Sequence, residues 1–147
     1  LLLAAQVQAG DTRAFEVNSL PGFGVQGSGD GDISISNNCV CFKIHKTKLW
    51  VHPELEKYKP QIVGVRFGLA YETNGENWDI LGYAPMHRIG GIISIDNPIK
   101  VLPFETSMPV PKDLEKKKYW VVMEIVMKDI GENGVSYSYA HEEEGLK

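Results

Sequence analysis

The chain has 147 residues, 43% hydrophobic and 23% charged, a length and composition that give one domain with a hydrophobic core of its own. Its 15 Lys and Arg stand against 19 Asp and Glu, a net charge of −4, so it lacks the basic surplus by which nucleic-acid-binding domains displace phosphate counterions. No run of about 18 apolar residues occurs, so no transmembrane segment is expected.

In chain order, the first segment, residues 1–17, opens on Leu1-Leu2-Leu3-Ala4-Ala5, and Val7-Gln8-Ala9 has the small-x-small form of a signal-peptidase site. One reading makes residues 1–9 the end of a secretory leader cut before Gly10. The other takes Leu1, Leu3, Ala5, Val7 and Ala9 as one face of an ordered strand, because apolar residues alternate along it. Both favour an extracytoplasmic or secreted protein. A strand follows over 13–17, then a Gly/Ser/Asp-rich loop over 18–32. The remainder, 33–147, reads as the body.

From Ile33 onward, short β-branched and aromatic runs recur between turn signals, with 15 Gly and 8 Pro in the chain. That spacing predicts an all-β, antiparallel two-sheet sandwich, immunoglobulin-like or jelly-roll-like, of about 8–10 short strands. Strands are expected at 32–36, 39–45, 48–52, 89–95 and 98–104. Two hairpins are signalled by Asn-Gly. At Asn74-Gly75, a two-residue turn sets Tyr71 opposite Trp78 and Leu69 opposite Ile80, with Val65, Phe67, Leu69, Tyr71, Trp78 and Ile80 on one core face. At Asn133-Gly134, the chain turns from 118–128, apolar on both faces and so a doubly covered central strand, into Val135–Tyr139. Pro53–Tyr58 and Asp113–Lys116 could each form one helical turn.

Residues 114–136 carry a resemblance. Leu114, then Tyr119-Trp120-Val121, then Asn133-Gly134-Val135-Ser136 resembles the late strands of fibronectin-type and immunoglobulin-like sandwiches. It implies a fold and no function.

Four groups of residues could carry chemistry. If Lys46-Thr47 is a turn, Cys39, Cys41 and His52 share a face, and two thiolates with an imidazole suit zinc or copper(I). His45 is on that face too, but about 13 Å along the strand from Cys41. A Cys39–Cys41 disulfide is not expected, because alternate strand residues lie roughly 6.5–7 Å apart, at the outer limit for a bridge. Asp30 and Asp32 place carboxylates in a flexible loop, the chemistry of calcium, although Cys41 stands where the EF-hand pattern needs a Glu. Glu124 is a lone carboxylate in an apolar strand. It reads as the partner of Arg66, which stands between Gly64 and Gly68, more readily than as a glycosidase acid. Trp50, with Tyr137 and Tyr139, is the best supply of exposed rings for stacking on a sugar. There is no Gly-x-Ser-x-Gly, phosphate loop or His-Glu-x-x-His.

With no catalytic constellation, the sequence points to a non-enzymatic structural or assembly subunit whose N-terminal apolar strand packs into a neighbouring copy or protein partner. A carbohydrate- or ligand-binding module is the alternative, and a hydrolase or metal-binding protein the third. No resident cofactor is expected.

Overall fold

A strand declares itself by which residues it hides, and period-two burial runs through most of this chain. The computed structural model describes residues 12–19, 25–36, 38–74, 77–112, 114, 119–128 and 135–141. Ten strands form: β1 Thr12–Ser19, β2 Val25–Ile35, β3 Cys39–Val51, β4 Gln61–Asn74, β5 Asn77–Tyr83, β6 His87–Arg88, β7 Ile99–Val101, β8 Phe104–Pro109, β9 Tyr119–Lys128 and β10 Val135–His141. A helical turn α1, Pro53–Glu56, starts on a proline whose missing N–H costs nothing there, as its sequence predicts.

All pairings are antiparallel, in the order β5-β4-β9-β10-β1-β2-β3-β7, with β6 also on β4 and β8 also on β3. The ladder is unbroken, and it folds over so that β5, β4 and β9 face β1, β2, β3 and β8. The protein is therefore the expected all-β sandwich of two antiparallel layers. Between them the Phe67 ring lies 6.1 Å from Phe15, 6.4 Å from Phe42 and 6.1 Å from Phe104. Val65, Leu69, Leu49, Met123 and Ile125 complete the middle of the core.

The glycine-rich stretch is where the sequence reading departs most. Residues 18–32 do not form a loop throughout: from Val25 they are strand β2, paired along its length with β1 and β3. Val25, Gly27, Gly29, Gly31, Ile33 and Ile35 all point inward. Glycine stands there because side chains of the neighbouring strand and of the facing layer fill the space a side chain would take. A Cβ on Gly27 would lie 2.7 Å from Leu49 Cδ2 and 3.0 Å from Ile125 Cδ1, and one on Gly29 would lie 3.0 Å from Phe67 Cζ. Residues 12–17 belong to the same sheet through β1, so no boundary separates them from the body.

Strands expected at 39–45 and 48–52, with a turn at Lys46-Thr47, are one strand, β3. Val40, Phe42 and Ile44 face the core, and so do Thr47, Leu49 and Val51. The change of parity is a bulge: Asp30 pairs with Lys46 and Gly31 with Ile44, leaving His45 as the extra residue. A strand expected over 98–104 is interrupted instead. β7 and β8 share one register on β3, with Leu102-Pro103 between them. Proline has no N–H for a ladder. Residues 89–95 form only isolated bridges, Gln61 with Ile92 and Ser94 with Asn97.

The hairpin of β4 and β5 forms, but one residue out of the expected register. Tyr71 faces Asp79, Glu72 faces Trp78 and Ala70 faces Ile80. A second irregularity, between Leu69 and Ala70, leaves Leu81 as the extra residue. Leu81 thereby packs on the core, whereas Ile80 is 46% exposed. β9 and β10 pair antiparallel, Lys128 with Val135 through Val122 with His141, and the six residues between them, including Asn133-Gly134, lie outside the described residues. β9 is the doubly covered central strand: every residue from Tyr119 to Val126 is buried. Residues 1–11, with both readings of the N-terminal segment, lie outside the described residues, as do Asp113, Glu115 and Lys116 of the second expected helical turn.

Candidate functional site

The outer face of β1, β2, β3 and β8 is polar and concave. Thr12 pairs with Ser34, Ser34 with Cys41 and Cys41 with Ser107, so four short polar side chains run straight across four strands. One pleat along, Asp32 pairs with Lys43 and Lys43 with Glu105, a lysine between two carboxylates. Together they line a groove of about 550 Å³. Short side chains in one row and long charged ones in the next make the depression.

Cys39 and Cys41 form a disulfide with Cα atoms 5.9 Å apart. That corrects the expectation that alternate residues of a strand stand too far apart: the start of β3 is shorter than an ideal extended chain, which brings the pair inside the bridging range. Before it, the Ser36 hydroxyl accepts hydrogen bonds from the N–H groups of Asn38 (3.3 Å) and Cys39 (3.2 Å). Ser36 Oγ also lies 3.7 Å from Cys39 Sγ.

The proposed metal triad does not assemble. Because β3 runs unbroken, His52 lies beyond its far end, roughly 35 Å along the strand from Cys41. There its Nδ1 accepts the Glu54 N–H at 3.2 Å, capping α1. Asp30 and Asp32 are not loop residues either. They point outward from a paired strand, opposite Lys46 and Lys43, and Asp32 Oδ2 lies 2.7 Å from His45 Nε2. Lysines opposite and an imidazole alongside give those carboxylates nitrogen partners in place of a calcium-type oxygen shell. Among the described residues, no group of three or more His, Cys, Asp and Glu could hold a metal ion.

Glu124 and Arg66 face each other across β9 and β4 as predicted. Arg66 Nε donates to Glu124 Oε1, with the carboxylate side chain 1% and the arginine 33% exposed. The guanidinium sits 4.0 Å over the Tyr83 ring. Tyr83 lies against Gly68, where a Cβ would come within 2.8 Å of Tyr83 Cδ1. The glycine beside the arginine thus makes room for its aromatic partner. This arrangement neutralises a buried charge and leaves the carboxylate closed to substrate.

Trp50 is half-buried on the outer face opposite Gln26, and its Nε1–H donates to Gln26 Oε1 at 2.8 Å. It stands near the end of β3 remote from the groove. Tyr137 and Tyr139 are on β10, paired with Val126 and Glu124. At the start of β9, burial pushes the Tyr119 phenol up to about 12, and the positive charge of Arg13 acts weakly the other way.

Sequence reasoning missed the groove because it ended the expected strand at 104, which left Glu105 and Ser107 of β8 out of the sheet, and treated most of β2 as a loop. The alternation Gly27-x-Gly29-x-Gly31 was the available signal: period two is a strand's period even when the inward residue is glycine. No family model matches the chain, and no curated protein or solved structure matches it either.

Proposed function

We propose that this is a non-enzymatic, extracytoplasmic assembly module that takes an extended segment of a second copy, or of a protein partner, as an added strand. The observation that carries the reading is the edge of β5. Among the described residues, this seven-residue strand pairs only with β4, and it presents Ile80 to solvent at 46% exposure. An open edge with an outward isoleucine satisfies both needs of strand addition, backbone groups to pair and a side chain to pack on. The alternating Leu1, Leu3, Ala5, Val7 and Ala9 provide a donor with a matching apolar face. The Cys39–Cys41 disulfide supports an oxidising compartment.

Light scattering on the full chain and on a chain lacking residues 1–9 tests this. Assemblies should form with the full chain and be lost on deletion. A synthetic peptide of residues 1–10 should bind the shortened chain, and Ile80→Lys should abolish that binding. Equal assembly with and without residues 1–9 would sink the reading. A saccharide-binding reading rests on the indole of Trp50, held in one orientation by Gln26. Loss of glycan binding in Trp50→Ala, with unchanged thermal unfolding, would favour it.

A further inference from the structure

We infer that the Cys39–Cys41 disulfide is a thiol-exchange site, at which a low-molecular-weight thiol in the adjoining groove becomes linked to Cys41. Three observations carry this, and none depends on strand addition at β5.

The bridge joins nothing that the fold has not already joined. It spans a sequence separation of 2 within one strand. The ladders hold both of its ends, with Cys39 on Pro109 and Cys41 between Ser34 and Ser107. Loop-closure stabilisation grows with loop length, so a loop this short contributes the least that a disulfide can. Both sulfurs stand on the outer face, since Val40 and Phe42 occupy the core positions. A disulfide at the surface of a rigid sheet can therefore open without unfolding the domain.

The two sulfurs are not equivalent. Cys41 lines the groove, flanked by the short side chains of Ser34 and Ser107, while Cys39 lies against the Ser36 turn. Lys43, two residues along the same face, also lines the groove, with Asp32 and Glu105 to either side of it, so an incoming thiolate meets one cation beside Cys41 and a carboxylate on each flank. The hydroxyls of Thr12, Ser34 and Ser107 offer hydrogen bonds to a peptide-like body. At the other sulfur, Ser36 Oγ already accepts from two backbone N–H groups. Its proton is donated to the Cys39 carbonyl oxygen at 3.3 Å, and Cys39 Sγ, 3.7 Å away, is near enough for the hydroxyl to turn to it once a thiolate forms there.

The step follows from this asymmetry. A thiolate RS⁻ attacks Cys41 Sγ, the Cys39–Cys41 bond breaks, and its electron pair stays on Cys39 as a thiolate solvated by the Ser36 hydroxyl. The products are Cys41–S–S–R and one protein thiolate. Cys39 can then attack Cys41 Sγ and expel RS⁻, restoring the starting state. Alternatively a second RSH attacks the sulfur of R, giving RSSR and two protein thiols. Overall, two RSH are oxidised while one protein disulfide is reduced.

The test uses the oxidised full chain with reduced glutathione, and with cysteamine as a cationic thiol. Adducts are trapped with acid and located by peptide mass mapping. Glutathione should appear on Cys41, and Lys43→Gln should slow its addition about threefold, as loss of one nearby exposed charge does in water, leaving cysteamine addition no slower. Ser36→Ala should slow glutathione addition without moving the adduct. Circular dichroism establishes that each variant folds, and both positions are on the surface. Adduct on Cys39, glutathione addition unaffected by Lys43→Gln, or a native chain purified in air with two free thiols would each overturn the inference.

Discussion

Replacing Arg66 by methionine removes the only counter-charge given to Glu124 by an ion pair among the described residues. The carboxylate side chain is 1% exposed, so it cannot turn to bulk water, and an abandoned buried charge costs about 3–5 kcal/mol. Arg66 is itself 33% exposed, and water entering its vacated path moves the expectation to about 2–4 kcal/mol, including about 0.5–1 kcal/mol for its stacking on Tyr83. At this chain length that corresponds to a fall in Tm of roughly 5–15 °C. Glu124→Gln, which keeps the shape and one acceptor, should cost about 1–2 kcal/mol. In the double variant no charge is left stranded, so its loss should fall short of the sum of the two by at least about 1.5 kcal/mol. Urea denaturation of the four proteins at one pH measures the cycle. An Arg66→Met variant within about 0.5 kcal/mol of the parent, or strictly additive losses, would refute the account of this pair as the neutraliser of a buried charge.

Gly31→Ala should destabilise more than Gly29→Ala in urea unfolding, by about 1–3 kcal/mol. Its Cβ would run into the Lys43 carbonyl, whereas that of Gly29 meets only the tips of Phe67 and Met123. The Tyr119 phenol ionises near 10 in the unfolded chain and at about 12 in the folded one. Stability from this group is therefore complete below pH 10 and declines as pH rises from 10 to 12, by at most about 2–3 kcal/mol; in Tyr119→Phe that slope should disappear. His45→Ala removes a surface hydrogen-bond contact to Asp32 and should change stability by less than about 1 kcal/mol, with the thermal midpoint as readout.

How far the sequence carried depended on whether one local signal could have only one cause. The aromatic and β-branched residues of β9 could not be satisfied except by cover on both faces, and its one carboxylate required a cation. Arg66, flanked by two glycines, was the candidate, and it faces Glu124 directly. The hairpin of β4 and β5 was legible as a hairpin, but its register was not. Two local irregularities shift the pairing, and no residue at Leu81 announces which of Ile80 and Leu81 turns inward. In β3 the parity switch between Ile44 and Leu49 was visible, yet a turn and a bulge both produce it. Choosing the turn brought His52 toward Cys41. The groove depends on pairing between strands distant in sequence, Ser34 with Cys41 and Cys41 with Ser107, which no local pattern encodes. The glycines of β2 concealed a strand because their usual meaning is conformational freedom, whereas here they make room for Phe67, Met123 and Leu49.

The bulge at His45 has a counterpart across the next ladder. Ile44 faces Phe104 and Thr47 faces Val101, so His45-Lys46 on β3 stands opposite Leu102-Pro103 in the neighbouring edge. Both strands reverse parity at the same level, while β2 alternates without interruption. Length changes at this corner are therefore coupled. Losing one residue from β3 alone would remove the bulge against β2 but leave Leu102-Pro103 as two residues opposite one, so the irregularity would pass to the outer ladder. A matching loss at Leu102-Pro103 would let both edges straighten together. Divergent versions of this domain should gain or lose residues at these two places in concert, a paired gap at His45 and Leu102 far apart in sequence, although each place taken singly is exposed surface.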